Sequence, residues 1–194
     1  MKNLANFLFE AGMLLKTPRS GFQFLGSGDS SVAEHLFRTT VVGFTLARLD
    51  PQADSDKVLR LCLFHDLPEA RTGDMNYVNK KYVEVDENKA IEELSATLPF
   101  GDEYRELLKE FNEGTSREAR IARDADQLEL ILSLRECHDL GNRYAQEWYP
   151  YAVKRLQTEN ARKLATTIWE TDSSQWWMDD DENWWIHAKH QKKN

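Results

Sequence analysis

Residues 61–70, with the sequence LCLFHDLPEA, form an apolar run that contains His65, Asp66 and Glu69. Burying an ionised carboxylate is costly unless it is paired or coordinated, so Asp66 at the end of an apolar helix needs a partner. Neighbouring helical positions lie about 100° apart, so His65 and Asp66 can converge on one metal ion. Glu69 lies on the same side if the last turn continues past Pro68. The alternative is a helix C-terminus at which Pro68 ends the helix and the charges are solvated.

Hydrophobic periodicity predicts helices on both sides of this run, because apolar residues recur at three- and four-residue steps. No strand pattern of useful length is present. The predicted helices cover about residues 3–16, 31–49, 56–67, 86–98, 102–113, 115–138 and 158–170. The helix over 56–67 is apolar nearly all round, which is typical of the centre of a bundle. We therefore predict an all-α fold, a compact helical bundle.

His35 lies in the first turn of one of these helices. Ser31 and Glu34 form a capping box, in which the serine hydroxyl and the glutamate carboxylate satisfy free amides at the helix start. His35 then shares a helix face with Thr39 and Leu46, which predicts that it points inward. An inward histidine is either a hydrogen-bonded core residue or a metal ligand.

Asp126 lies beside the buried stripe that is predicted for the helix over 115–138. This stripe comprises Ile121, Ala125, Leu128 and Leu132. A second capping box, Thr115 and Glu118, predicts the start of the helix. Asp124 is turned roughly 200° away from the stripe, so it is predicted to be solvated. Asp126 is therefore the preferred candidate for a half-buried carboxylate.

The composition indicates a single domain over residues 1–194 and excludes several classes of protein. Of its residues, 41% are hydrophobic and 30% are charged, which suffices for a sizeable core. A net charge of −8 argues against a nucleic acid polymer as a partner. Cys62 and Cys137 form no CxxC pair, which indicates a reducing compartment. Because no signal peptide or membrane-spanning run is evident, we expect a cytoplasmic protein that has no membrane partner.

The segment 171–194 is rich in aromatic residues. It contains four of the six tryptophans, namely Trp176, Trp177, Trp184 and Trp185. Indoles at this density are predicted to pack over the body of the protein or over a second subunit. The segment therefore favours a homodimer.

Four of the candidates, His35, His65, Asp66 and Asp126, follow the order His, His-Asp, Asp. This arrangement resembles the signature of the HD-domain metal-dependent phosphohydrolases. Further stretches look like the small branch of that family that contains the 5′-deoxynucleotidases. These stretches are PRSGF at 18–22, SVAEH at 31–35, HDLPEA at 65–70, GD at 73–74 and RDADQLEL at 123–130. The resemblance covers about residues 1–140.

The resemblance implies that His35, His65, Asp66 and Asp126 bind a divalent metal ion. Two imidazoles and two carboxylates leave coordination positions open for water and a phosphate oxygen, and they suit Mn²⁺, Co²⁺, Fe²⁺, Zn²⁺ or Mg²⁺. Such an ion lowers the pKa of bound water and neutralises charge on a phosphate. No serine or cysteine has an obvious base partner, so water is the expected nucleophile.

The resemblance further implies that Glu69 and Asp74 are the catalytic acids beside the reacting phosphate, and that Arg19 contacts this phosphate. Phe22 stands where the family usually has tryptophan, at a position linked to packing around the nucleotide. The expected reaction is hydrolysis of nucleoside 5′-monophosphates, with deoxyribonucleotides as the expected substrates. The alternatives are another phosphomonoester as substrate, or a non-catalytic scaffold that binds metal or nucleotide. The family commonly forms dimers.

Overall fold

The computed structural model describes residues 1–178 and 185–186, and these residues form ten α-helices. The helices are α1 (Lys2–Ala11), α2 (Phe22–Leu25), α3 (Val32–Arg48), α4 (Ser55–Phe64), α5 (Glu69–Thr72), α6 (Glu87–Ser95), α7 (Gly101–Glu113), α8 (Arg117–Asp139), α9 (Arg143–Val153) and α10 (Glu159–Glu170), with 3₁₀ turns at Gly12–Leu15 and Asn79–Lys81. Over this part of the chain the predicted all-α bundle is confirmed. None of these helices is both long and apolar enough to cross a membrane.

The central helix of the bundle is α8, which packs against α3, α4, α7, α9 and α10. Its side chains Leu128, Ile131 and Leu134 are completely buried. Burying such a side chain stabilises the fold by about 1.5–3 kcal/mol relative to leaving it exposed. Leu132, which was predicted in the buried stripe, is only half-buried. The buried stripe therefore continues through Ile131 and Leu134 instead.

Helix α4 is buried on one side only, so the prediction that this helix, apolar nearly all round, lies at the centre of the bundle was wrong. Val58, Leu61 and Cys62 are buried, whereas Leu63 is 48% exposed. The helix packs against α3, α7 and α8, and this leaves one side in solvent. It also ends at Phe64, three residues earlier than predicted.

Helices α3 and α4 approach each other closely at Gly43. A Cβ atom added there would lie 2.5 Å from Sγ of Cys62 and 3.3 Å from Cγ1 of Val58. Glycine is the residue that permits such an approach, because it has no Cβ. The contact fixes how the start of α3 faces the end of α4, where the candidate residues lie.

The capping box at the start of α3 is confirmed. Ser31 Oγ accepts a hydrogen bond from the Glu34 backbone N–H at 3.2 Å, and Glu34 Oε2 accepts one from the Ser31 backbone N–H at 2.7 Å. These bonds satisfy amides that have no partner within the helix. The helix therefore begins one turn before the site and aims His35 inward.

The second predicted capping box, Thr115 with Glu118, is wrong. Ser116 is the N-cap of α8, and its hydroxyl accepts from the Ala119 backbone N–H at 3.0 Å. Glu118 instead accepts from the backbone N–H of Asp54 at 3.1 Å. The glutamate therefore links α8 to the start of α4, a long-range role that the local pattern could not indicate.

The aromatic C-terminal segment is described only in part, and Trp184 lies outside the described residues. Trp176 is 86% exposed, so it is not packed over the body of this chain. The rings of Trp177 and Trp185 meet edge to face, with centroids 5.7 Å apart. Packing of the indoles over a second subunit stays a prediction.

Candidate active site

His35 projects from the first turn of α3 into the interior and is 1% exposed. Its Nδ1 donates to Oε2 of Glu129 at 2.6 Å, and its Nε2 lies 3.2 Å from Oδ1 of Asp126. Burial and the nearby charge of Arg19 lower the pKa of His35, but its contacts with Asp126 and Glu129 outweigh both effects and raise it to about 9. The surroundings of Nε2 therefore favour positive charge at this atom.

His65 and Asp66 lie in the turn that follows α4, with His65 as the helix C-cap. His65 Nδ1 donates to the Cys62 carbonyl oxygen at 2.9 Å, which leaves Nε2 with a free lone pair. Asp66 Oδ2 lies 3.4 Å from this Nε2 and 3.5 Å from Nε2 of His35. The structure therefore brings the His-Asp pair and His35 together, although the pair lies beyond the helix rather than inside it.

A metal ion fits this arrangement on two observations. Donor atoms of His35, His65 and Asp126 lie within 4.8 Å of one another. The buried Nε2 of His65 has no hydrogen-bond partner among the described residues, whereas buried polar atoms normally have one. Two imidazole nitrogens with carboxylate oxygens suit a divalent transition metal. Asp66, close to both histidines, is placed to supply a fourth ligand.

Asp126 extends from α8 towards the two histidines, and its side chain is 26% exposed. Burial alone would raise the pKa of Asp126, but contact with His35 and the charges of His65 and Arg19 hold it well below its usual range. Asp126 is therefore ionised at neutral pH, as a metal ligand must be.

Arg19 and Asp74 reach the same site from two loops. Arg19 Nη1 lies 3.3 Å from Oδ2 of Asp66 and 3.9 Å from Oδ2 of Asp74. Asp74 Oδ2 also accepts from the Ser20 backbone N–H at 2.8 Å. The preceding Gly73 has a φ of 73°, which lets the chain turn back to make this bond. Asp74 therefore fixes the loop that carries Arg19.

Glu69 begins α5 and faces the site. Its Oε2 atom is buried and has no hydrogen-bond partner among the described residues. Burial and the charges of Asp66 and Asp74 raise the pKa of Glu69 to about 9. A carboxyl group in these surroundings holds a proton at neutral pH and can donate it.

A cavity of about 350 Å³ opens next to these residues. Its wall includes charged groups from the site, among them Arg19 and Asp126, and apolar side chains from Phe22, Leu130 and Trp148. A volume of roughly 300–1,000 Å³ with a few polar groups on an apolar wall is typical of small-molecule sites. The structure thus places the eight residues that the sequence analysis assigned to the site in or beside one cavity. They are Arg19, Phe22, His35, His65, Asp66, Glu69, Asp74 and Asp126.

Glu129 was missed by the sequence analysis. It is 5% exposed, and its Oε1 accepts from Nη2 of Arg38 at 2.8 Å and from Oγ of Ser133 at 3.1 Å. Burial raises the pKa of Glu129, but His35 and Arg38 outweigh it and lower the pKa to about 2. A carboxylate that binds the far nitrogen of a metal-binding histidine fixes its tautomer and orientation. The role of Glu129 could have been predicted from its spacing, because it lies three residues after Asp126 and on the same helix face.

Asp124 is completely buried, so the prediction of a solvated side chain was wrong. Its carboxylate accepts from the backbone N–H groups of Gln157 at 2.7 Å and Thr158 at 2.8 Å, and from Oγ1 of Thr158 at 2.7 Å. Asp124 therefore holds the start of α10 against α8. Its carboxylate oxygens are used in these hydrogen bonds, on the side of α8 away from the histidines. The burial depends on a turn more than 30 residues later in the chain.

Comparisons with known proteins agree with this geometry. The family model described as HD domain matches residues 11–169. The 5′-deoxynucleotidase HDDC2 of Bos taurus is 32% identical over 148 residues, which cover 73% of this chain and 71% of that protein. The protein of the same name from Mus musculus is 28% identical over 190 residues, which cover 88% and 94% of the two chains. A conserved hypothetical protein from Pyrococcus furiosus has a TM-score of 0.72 at 28% identity, covering 86% of this chain and 97% of that one.

Proposed function

The chain belongs to the HD domain family, and we propose on this basis that it is a metal-dependent phosphohydrolase that removes the phosphate from deoxyribonucleoside 5′-monophosphates. The observation that carries the proposal is the buried Nε2 of His65, which has no hydrogen-bond partner in the described part of the chain and lies among His35, Asp66 and Asp126 beside the cavity. The relatives named 5′-deoxynucleotidase support this substrate class.

The residues that would hold the ion are His35, His65, Asp66 and Asp126. When bound, the divalent cation supplies positive charge that acidifies water and offsets the charge of the phosphate. Glu129 holds the His35 ring through Nδ1, and the Cys62 carbonyl holds the His65 ring in the same way. Both imidazoles are therefore oriented in advance, with Nε2 facing the carboxylates.

Arg19 would bind the substrate phosphate. Its guanidinium lies in the cavity wall beside Asp66 and Asp74, and its planar fork can donate to two phosphate oxygens at once. The bond from Ser20 to Asp74 fixes the loop that presents it. Asp74 therefore has a positioning role in addition to its charge near the reaction centre.

Glu69 would carry the proton that the leaving 5′-oxygen needs. Burial and two neighbouring carboxylates raise the pKa of its carboxyl group and favour the protonated form that a proton donor needs. Proton transfer of this kind is worth roughly 10²–10⁴-fold in rate. Asp74 is already engaged with Ser20, so Glu69 is the better placed of the two acids for this task.

The apolar wall would hold the nucleoside. Phe22 and Leu130 pack against the core and line the cavity, and Trp148 presents a large aromatic surface to it. Base and sugar rings gain from contact with such side chains. The partner of the protein would thus be a small nucleotide rather than a nucleic acid polymer.

A phosphate-release screen tests the proposal. Purified protein is assayed against ribo- and deoxyribonucleoside 5′-monophosphates with Mn²⁺, Co²⁺, Mg²⁺ or Zn²⁺. We expect release from deoxyribonucleotides that depends on the added metal. The variant E69Q should retain metal and fold but release phosphate on the order of 10²-fold more slowly. Binding of metal and nucleotide without any release would instead identify a scaffold.

A further inference from the structure

A second cavity, of about 270 Å³, adjoins the first. The two cavities share part of their wall, formed by Asp66, Glu69, Met75 and Lys80. Asp66 and Glu69 belong to the site already described. Lys80 does not, and it comes from the 3₁₀ turn Asn79–Lys81 in the loop before α6.

The charges on the wall of the first cavity indicate a role for this lysine. Five acidic side chains line the first cavity, from Asp66, Glu69, Asp74, Asp126 and Glu129, and all except Glu69 are taken as ionised. Among its described lining residues, only Arg19 and Lys80 carry a side chain that is always or normally cationic. The charge of Arg19 is partly offset by Asp66 at 3.3 Å and Asp74 at 3.9 Å. A dianionic phosphate that enters such a wall is stabilised further by a cation in addition to the divalent ion.

Lys80 is both available and well placed. It makes no ion pair with any residue that the structure describes, in contrast to Arg19. Its position is set by Asn76, which is buried within an otherwise exposed loop. The Asn76 side-chain oxygen accepts hydrogen bonds from the backbone N–H groups of Val78 at 3.0 Å and Asn79 at 2.9 Å. The Asn76 backbone carbonyl accepts one from the backbone N–H of Lys80 at 3.0 Å. The turn that presents the lysine is therefore ordered by its own hydrogen bonds.

We propose that Lys80 is a phosphate-binding residue, which contacts the substrate phosphate where the two cavities meet. This inference rests on the proposed function, since it assigns a second cation to the same phosphate. The ammonium group neutralises charge on the phosphate, and Arg19 orients it through two parallel hydrogen bonds.

The variant K80M tests the proposal, with K81M as a matched control. Lys81 lies in the same turn, carries the same charge and lines neither cavity. Loss of a hydrogen bond to a charged group should lower kcat/KM of K80M by roughly 10- to 100-fold, whereas K81M should stay within about 2-fold of the wild type. K80R should recover part of the loss. Equal effects of K80M and K81M would overturn the proposal, because they would show only a change in overall charge.

Binding of inorganic phosphate gives a readout that needs no turnover. In calorimetric titrations of the metal-loaded proteins, K80M should bind phosphate at least about 10-fold more weakly than the wild type and K81M. The unphosphorylated nucleoside should bind wild type and K80M alike, which excludes a collapsed loop. Unchanged phosphate binding in K80M would overturn the role of Lys80. If the wild type binds phosphate through Lys80 but hydrolyses no nucleoside monophosphate, the proposed function fails and the assignment of Lys80 stands.

Discussion

Glu129 acts on the candidate metal site through His35, whose Nδ1 lies 2.6 Å from its carboxylate. The variant E129Q should bind the metal roughly 10- to 100-fold more weakly, because the imidazole loses its orienting partner and some of its basicity. The control is E136Q. Glu136 also pairs with Arg38, at 2.5 Å, but it is largely exposed and does not contact His35. Metal titration that gives equal affinities for the two variants would contradict this role.

Asp124 and Asp126 are two residues apart in one helix, yet replacing them should have different effects, on stability in one case and on metal binding in the other. The variant D124A leaves the amides of Gln157 and Thr158 without an acceptor, so the free energy of unfolding should fall by roughly 1–3 kcal/mol. Its metal content should not change. D126A should lose the metal at much smaller cost to stability. Elemental analysis together with urea unfolding separates the two, and metal loss in D124A with retention in D126A would reverse our assignment.

Single residues of the site could be predicted where their chemistry conflicts with their surroundings. His65 and Asp66 stand out because charged and polar groups follow an apolar run. The burial of Asp124 and the role of Glu129 were not predictable in this way. Each depends on a partner far along the chain, Thr158 in one case and His35 in the other. Local periodicity carries no information about such contacts.

The packing of α3 against α4 should depend on Gly43. Replacing glycine by alanine inside a helix normally stabilises it by about 0.5–1 kcal/mol, but here the added Cβ would lie 2.5 Å from Sγ of Cys62. Overpacking of this kind costs about 1–3 kcal/mol, so we expect G43A to destabilise the protein. Metal affinity should fall with it, since the two helices place His35 and His65.

Two further variants complete this measurement. The control G12A adds a Cβ where no atom lies within 4 Å, and it should leave the unfolding free energy unchanged or slightly raised. The double variant G43A/C62A removes the sulfur atom and should recover part of the stability that G43A loses. Urea unfolding in which G43A is as stable as G12A would contradict the close contact.

At the level of the helices, local sequence patterns predicted features that depend on neighbouring residues. They did not predict features that depend on contacts between distant parts of the chain. The start of α3 was predicted because Ser31 and Glu34 satisfy each other within one turn. The start of α8 was misjudged because Glu118 binds the Asp54 amide instead. The end of α4 was placed too late, since the helix ends at Phe64 and Pro68 is the N-cap of α5. The existence of seven helices therefore followed from the pattern, whereas α2, α5 and α9 were not predicted and helix boundaries depended on neighbouring elements.

For the whole molecule we expect a homodimer. Trp176 is exposed at one end of the described chain, and Phe37, Val41 and Phe44 are exposed along one face of α3. Exposed aromatic groups of this size are commonly covered by another protein surface. Light scattering at micromolar concentration should give the mass of a dimer. A monomer whose tryptophans are freely quenched by iodide would contradict this expectation.

The central claim is that His35, His65, Asp66 and Asp126 hold a divalent metal ion that phosphate removal requires. It is tested most directly by following phosphate release from a deoxyribonucleoside 5′-monophosphate while metal is titrated into chelator-treated protein. We predict no release without metal, and release that rises to a plateau as the metal site fills, with D126A inactive throughout. Full activity of the metal-free protein, or wild-type activity of D126A, would contradict the claim.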